Sequence, residues 1–250
     1  MSETFFMNIA HRGFSARYPE NTILAFQKAL DLGVKWMEFD LQITQDGHIV
    51  IIHDKTVDRT TDGTGEVSSL SLAQIQSLDA GIHAGEEFAG QQIPTFNELL
   101  DFLAGKSRMA VELKFEDDAF IPKVIEALKD RDLIDQVSIS SFDLPKLPKV
   151  KSICPEVSTT ALLKRHEGRI EDGGVSETLA MKADTFGPHF SEATQEMVNA
   201  AHDAGLAVRC WGLGKDQGPE LERIIDLNAE GLTTDHPDIL QDILKRRNML

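Results

Sequence analysis

The residues able to do chemistry in this chain fall in pairs at the ends of short apolar runs: His11 with Arg12, Glu38 with Asp40, His53 with Asp54, and Glu112 with Lys114. Residues i and i+2 of a strand face the same side, so Glu38 and Asp40 share a face, as do Glu112 and Lys114. Three carboxylates gathered in one partly buried mouth repel, and protonation, basic neighbours or a cation must relieve them. A divalent ion is the simplest relief. The donors Glu38, Asp40 and Glu112 are all oxygen, which favours a hard ion, Mg²⁺ or Ca²⁺ with Mn²⁺ also admissible, over structural Zn²⁺. Such an ion with Arg12 and Lys114 exceeds the three carboxylates by one positive charge, which suits a phosphodiester. Arg12 can hold two phosphate oxygens and Lys114 can act as a mobile point charge. His11 and His53, with ordinary pKa values of about 6.5, suit proton transfer, one taking a proton and the other giving one.

These pairs need a scaffold that brings distant strand ends together. Apolar runs of strand length alternate with segments of helical period, starting with a strand at Phe5 to Ala10, a helix at Asn21 to Leu32 and a strand at Lys35 to Leu41. Strands follow at Arg108 to Leu113, Val137 to Ser140, Val157 to Leu162, Asp184 to Phe186, Leu206 to Cys210 and Gly231 to Thr233, with helical segments between them and after the last. Eight βα units in 250 residues match a closed (β/α)₈ barrel, a TIM barrel, whose active residues lie at the C-terminal strand ends. Neither GxGxxG nor GxxxxGK[ST] follows the first strand, which weighs against an open nucleotide-binding sheet. Residues 55–92, rich in Gly, Ser, Thr and Asp, exceed an ordinary βα loop and read as a small subdomain or lid inserted after the second strand. No linker divides the chain, so residues 1–250 read as one domain.

Composition removes other classes. With 25 Lys plus Arg against 41 Asp plus Glu, the net charge is −16, and no basic run offsets it. Nucleic acid and anionic membrane surfaces are therefore disfavoured as partners. No stretch is long and apolar enough for a spanning anchor, and Met1 to Ala10 lacks a basic n-region, so the expected location is the cytoplasm. Cys154 and Cys210 read as buried free thiols. Nothing in the sequence sets an oligomeric state.

The ordered set His11-Arg12-Gly13, Pro19-Glu20-Asn21-Thr22, Glu38-Phe39-Asp40, His53-Asp54 and Glu112-Leu113-Lys114 resembles the glycerophosphodiester phosphodiesterases, cytoplasmic bacterial type. The resemblance extends through Arg59-Thr60-Thr61, Ile93-Pro94-Thr95, Ser141-Phe142 and Thr234-Asp235-His236-Pro237-Asp238, nearly the whole chain. It implies a TIM barrel with a small insertion after the second strand. It also implies metal ligation by Glu38, Asp40 and Glu112, and an acid and base pair in His11 and His53. The implied reaction uses the substrate's own glycerol hydroxyl as nucleophile and passes through a cyclic phosphate. It turns glycerophosphocholine, glycerophosphoethanolamine and similar small molecules into sn-glycerol 3-phosphate and an alcohol.

Around Trp211 the family reads Trp-Thr-Val-Asn, whereas this chain has Trp211-Gly212-Leu213-Gly214, which reshapes the pocket wall Trp211 would provide. Glu20 and Asn21 read as capping the first helix, Asn21 as its N-cap, with Glu20 also supporting the site, and Asp54 reads as the group that orients His11 or His53. His189 and His236 stand out among the remaining histidines because they can close later strands. Two enzymatic alternatives keep parts of this reading: a lysophospholipase D acting on acylated substrates, and a barrel aldolase using Lys114 as a Schiff-base amine. A third is a phosphodiester binder without turnover.

Overall fold

Side chains alternate along each strand, and that alternation decides what enters the barrel. In the second strand, β2 (Trp36–Ile43), Met37, Phe39 and Leu41 are fully buried in an apolar layer, which sends Glu38, Asp40 and Gln42 to the opposite face. Another strand, Arg108–Leu113, repeats the pattern: Met109, Val111 and Leu113 join the same layer, and Ala110 and Glu112 face inward. The computed structural model describes residues 6–164, 174–213 and 218–250. The expected strand residue Phe5, as well as His166 and Gly214, lie outside the described residues.

In chain order the elements are β1 (Met7–His11), α1 (Ile23–Asp31), β2, β3 (Ile49–Ile51), α2 (Leu72–Gln76), α3 (Phe96–Leu103), β4 (Arg108–Leu113), α4 (Ile121–Lys129), β5 (Val137–Ser141) and α5 (Lys146–Ile153). They continue with β6 (Ser158–Leu162), α6 (Val175–Ala180), β7 (Thr185–Gly187), α7 (Gln195–Asp203), β8 (Ala207–Leu213), α8 (Gly218–Asp226), β9 (Gly231–Thr234) and α9 (Pro237–Arg246). Among the described residues the parallel strands run β1-β9-β8-β7-β6-β5-β4-β2, and β1 pairs with β2 to close the ring. This is the (β/α)₈ barrel that the alternation predicts.

β2 is long enough to serve two partners. Its first half pairs with β1, from Ile9↔Trp36 to His11↔Glu38, and its second half takes β3 antiparallel, from Leu41↔Ile51 to Ile43↔Ile49. β3 therefore lies outside the ring and carries the chain into the insertion. Apolar layers between strands and helices hold the barrel. One contains the ring series Phe26, Phe39 and Phe96, with centroids 6.0 and 6.2 Å apart. The other gathers Phe186, Val208, Leu232 and Leu240. Cys154 and Cys210 are buried in these layers as free thiols.

Within residues 55–92, Val57, Val67, Ile75 and Ala80 pack on Val50, Ile52 and Ile93 as a separate small apolar cluster. The short helix α2 is fixed by a capping box between Ser71 and Gln74. Thr95 caps α3 in the same way with Glu98, which explains the Ile-Pro-Thr triplet as a helix start.

The expected cap at Glu20 and Asn21 is corrected. Thr22 is the N-cap of α1, and its hydroxyl accepts from the Ala25 amide at 3.3 Å. Asn21 instead takes a left-handed backbone, φ 58°, which asparagine tolerates better than most residues. The turn frees its side chain to donate to Asp40 at 3.0 Å.

Candidate active site

His11 is the last residue of β1 and lies in register with Glu38 of β2. Its Nδ1 meets Asp235 Oδ1 at 2.5 Å, and its Nε2 lies 3.9 Å from Glu38 Oε2. Asp235 follows β9 directly, the strand that closes the ring beside β1. Asp235 stands in the Thr234-Asp235-His236-Pro237-Asp238 motif, and only the fold shows it as the partner of His11. Burial and the Arg12 charge pull His11 down, but the Asp235 hydrogen bond and the Glu38 and Asp235 charges leave it above its ordinary value.

After β1 the chain turns through two left-handed residues, Arg12 at φ 56° and Gly13 at φ 80°. A Cβ on Gly13 would sit 2.6 Å from the Ala25 carbonyl carbon, so only glycine permits this approach to α1. The turn aims the Arg12 amide at Glu38 Oε2, 3.1 Å away. The Arg12 side chain bonds Glu20 through Nη1 at 2.9 Å and places Nε 3.3 Å from Asp40.

Glu38, Asp40 and Glu112 are buried, and each offers a carboxylate oxygen within 4.8 Å of the others. Burial and the charge of Asp40 push Glu38 up to about 7, with Glu112 adding to the effect. Burial and Asp40 likewise raise Glu112. Asp40 goes the other way: its burial cost is outweighed by Arg12, Lys114, His53 and the Asn21 bond, so it stays ionised. Its second oxygen, Oδ1, is buried without a hydrogen-bond partner among the described residues. Converging carboxylates with one orphaned oxygen are a donor set that can hold a hard divalent ion. Lys114 lies across them, 2.6 Å from Glu112 and 3.7 Å from Asp40. Burial alone would depress the ammonium, but these two carboxylates hold it above its ordinary value.

His53 follows β3, and its Nδ1 meets Asp54 Oδ1 at 2.6 Å. Of the two histidines Asp54 was expected to orient, it is bonded to His53. Burial lowers His53, Arg12 and Lys114 add to that, and Asp40 and Asp54 only partly oppose it. Arg59 bonds both Asp54 and Glu20, with distances from 2.7 to 3.2 Å. Its hydrogen bonds hold Asp54 down at about 2. Glu20 thus joins Arg12 to Arg59, and Arg59 ties the insertion to His53.

His11, Arg12, Glu38, His53, Glu112 and Lys114 line one cavity of about 200 Å³ at the C-terminal strand ends. Trp211 forms part of its wall, with its Nε1 donating to the Leu163 carbonyl at 3.1 Å. Phe142 and His189 both stand edge-on to Trp211 at 4.7 Å. Gly212, at φ 99°, explains the departure from Trp-Thr-Val-Asn: a Cβ there would lie 2.5 Å from the His189 ring. The glycine admits His189 beside Trp211 where β8 shifts register against β9. Arg209, two residues before Trp211, also lines the cavity and was missed by the sequence reading, which stopped at the visible motif. A larger cavity of about 720 Å³ opens at the other barrel end near Lys35, Trp36, Lys106 and Arg108. Its lining has one carboxylate, Glu230, and no histidine.

Comparison with known proteins places this barrel and its polar mouth among the phosphoric diester hydrolases. The Glycerophosphoryl diester phosphodiesterase family pattern matches residues 11–239. A glycerophosphodiester phosphodiesterase of Caldanaerobacter subterraneus subsp. tengcongensis is 37% identical over 243 residues, covering 95% of this chain and 97% of that protein. One from Bacillus subtilis is 30% identical over 255 residues, covering 96% and 86%. The solved structure of an Oleispira antarctica phosphodiesterase in complex with the product sn-glycerol-3-phosphate superposes with a TM-score of 0.85 at 26% identity, covering 95% and 96%. The chain belongs to the glycerophosphoryl diester phosphodiesterase family.

Proposed function

We propose that this chain hydrolyses glycerophosphodiesters, such as glycerophosphocholine and glycerophosphoethanolamine, to sn-glycerol 3-phosphate and an alcohol, with a divalent cation as cofactor. The observation that carries the reading is the buried carboxylate cluster flanked by His11 and His53, each bonded to its own aspartate. The product named for the Oleispira antarctica structure supports the substrate class. Glu38, Asp40 and Glu112 would hold Mg²⁺ or Ca²⁺, with Mn²⁺ also fitting oxygen donors. Bound there, the ion would supply Lewis-acid charge beside the phosphoryl group.

Arg12 and Lys114 bring positive charge to the phosphate from the rim. His53, whose Asp54 is shared with Arg59, sits neutral and takes the proton of the attacking glycerol hydroxyl. His11, bonded to Asp235, holds a proton and delivers it to the departing alcohol oxygen. The hydroxyl oxygen forms a bond to phosphorus as the bond to the alcohol breaks, giving a cyclic phosphate. Water then opens the ring, with His11 now taking a proton and His53 returning one. Glu20 and Asp54 support Arg12 and His53, Trp211 walls the pocket, and residues 55–92 cover one side of its mouth. The raised Lys114, paired with Glu112, is a poor amine nucleophile, which weighs against the aldolase reading.

The test is release of sn-glycerol 3-phosphate from glycerophosphocholine, with and without EDTA. The expected result is turnover that EDTA abolishes and a divalent ion restores; full activity in EDTA would reject the metal role. His53→Ala should lower kcat about 100-fold or more for every leaving group. His11→Ala should recover most of its lost rate on glycerol 3-(4-nitrophenyl phosphate), because nitrophenolate leaves without a proton. The same loss on both substrates would overturn the acid role.

A further inference from the structure

Arg209 is a cationic side chain in the cavity with two guanidinium donors left over. It is 3% exposed, and neither Nε nor Nη1 has a hydrogen-bond partner among the described residues. Arg12 is ion-paired with Glu20 and Asp40, although its Nε too makes no hydrogen bond, and Lys114 is ion-paired with Glu112 and Asp40, whereas Arg209 has no ion pair among the described residues. A desolvated donor left unpaired costs stability, so a position that keeps one calls for a ligand that supplies oxygens. Burial pulls the guanidinium down to about 10, against the charges of Glu38 and Glu112, which still leaves it protonated at neutral pH.

Depth indicates which oxygens these are. The two histidine side chains are 28% and 31% exposed, so they work near the rim, while Arg209 lies below them with Ser140 and Thr233 as hydroxyl-bearing neighbours in the lining. The reacting phosphorus must stay within reach of both histidines. Of the two arms of the diester, the departing alcohol is the variable one and must leave through the open mouth. The glycerol arm is constant, and it is the arm that a fixed polar floor can read.

We propose that Arg209 is a specificity-determining residue that donates hydrogen bonds to the glycerol hydroxyls of the substrate and of sn-glycerol 3-phosphate, with Ser140 and Thr233 completing the floor. The inference rests on the proposed hydrolysis of glycerophosphodiesters. A buried donor that finds its partner in glycerol and is left unpaired by an analogue lacking it discriminates strongly between the two.

The experiment is calorimetric titration of the enzyme, with the divalent ion that supports turnover, against sn-glycerol 3-phosphate and against inorganic phosphate. In Arg209→Met, affinity for glycerol phosphate should fall about 10-fold or more while affinity for phosphate changes about twofold or less. Arg209→Lys keeps the buried charge if the methionine variant fails to fold, and should show the same selective loss at smaller size. In turnover, wild type should prefer sn-glycerol 3-phosphocholine over 2-hydroxyethyl phosphocholine, which keeps the attacking hydroxyl but lacks the terminal one. The variants should lose most of that preference. Equal losses for both ligands, or no loss for either, would make Arg209 a phosphate or charge-balancing group and overturn the proposal. Wild type that neither binds glycerol phosphate nor releases it would instead reject the functional reading, and this proposal with it.

Discussion

Arg59 grips Asp54 and Glu20 together, and through them it acts on His53 and Arg12. Its hydrogen bonds are the largest reason Asp54 is held at about 2. Shared between a guanidinium and an imidazole, the Asp54 carboxylate presents only part of its charge to His53, and burial then keeps His53 below its ordinary value. Removing Arg59 gives His53 the undivided charge of Asp54, which favours the imidazolium. The sign follows: a base that holds its proton to higher pH shifts the acidic limb of the rate profile upward. In Arg59→Met, kcat/KM should fall about 10-fold more at pH 6 than at pH 8, one pKa unit being tenfold. Profiles of the two proteins over this range check it, and an unshifted limb would show that Arg59 only fastens the insertion.

The β1–α1 junction places more of the site than any other connection, because it sets His11, Arg12, Glu20 and Asn21 within one stretch of eleven residues. Its shape depends on Gly13, where left-handed backbone and contact with Ala25 both exclude a side chain. Gly13→Ala should destabilise the fold by about 2 to 4 kcal/mol. It should also lower activity more than the lost stability explains, since the Arg12 amide would leave Glu38. Denaturant titration and kcat at a permissive temperature separate the two effects. This junction also shows what was legible in the sequence. The strand ends at His11, Glu38, Asp40 and Glu112 were readable because period-two alternation fixes the face of each residue. The N-cap was misassigned by one position, since Asn21 and Thr22 are both good caps and only the left-handed turn separates them. Asp235 and Arg209 were not legible as partners of the site. Asp235 reaches His11 from the end of the neighbouring strand β9 and Arg209 enters from β8, each more than 190 residues from His11 in sequence, and no local spacing encodes that distance.

At the scale of the whole molecule, the net charge of −16 attracts cations and repels an anionic diester, so substrate capture depends on charges inside the mouth. Glu38, Asp40 and Glu112 add a local cost to the same excess. Burial and Asp40 raise Glu38 to about 7 from the ordinary carboxyl value of about 4.5, so between these values Glu38 holds more proton in the folded protein than in the unfolded one. The stability that Glu38 contributes to the metal-free protein therefore falls as pH rises through that window. A divalent ion held there as proposed would replace the proton, so its binding should strengthen over the same range. At pH 7.5 and an ion concentration about 100 times Kd, the ion should stabilise the fold by about 2.7 kcal/mol and raise Tm by about 5 to 10 °C. At pH 5, where protons compete for Glu38 and Glu112, the rise should be much smaller. Glu38→Gln removes the repelling charge and a proposed ligand together. It should melt higher than metal-free wild type at pH 7.5 and respond little to added ion. A variant that melts lower, yet gains the full increment from the ion, would show that the ion binds elsewhere and that repulsion at Glu38 does not limit the stability of the barrel.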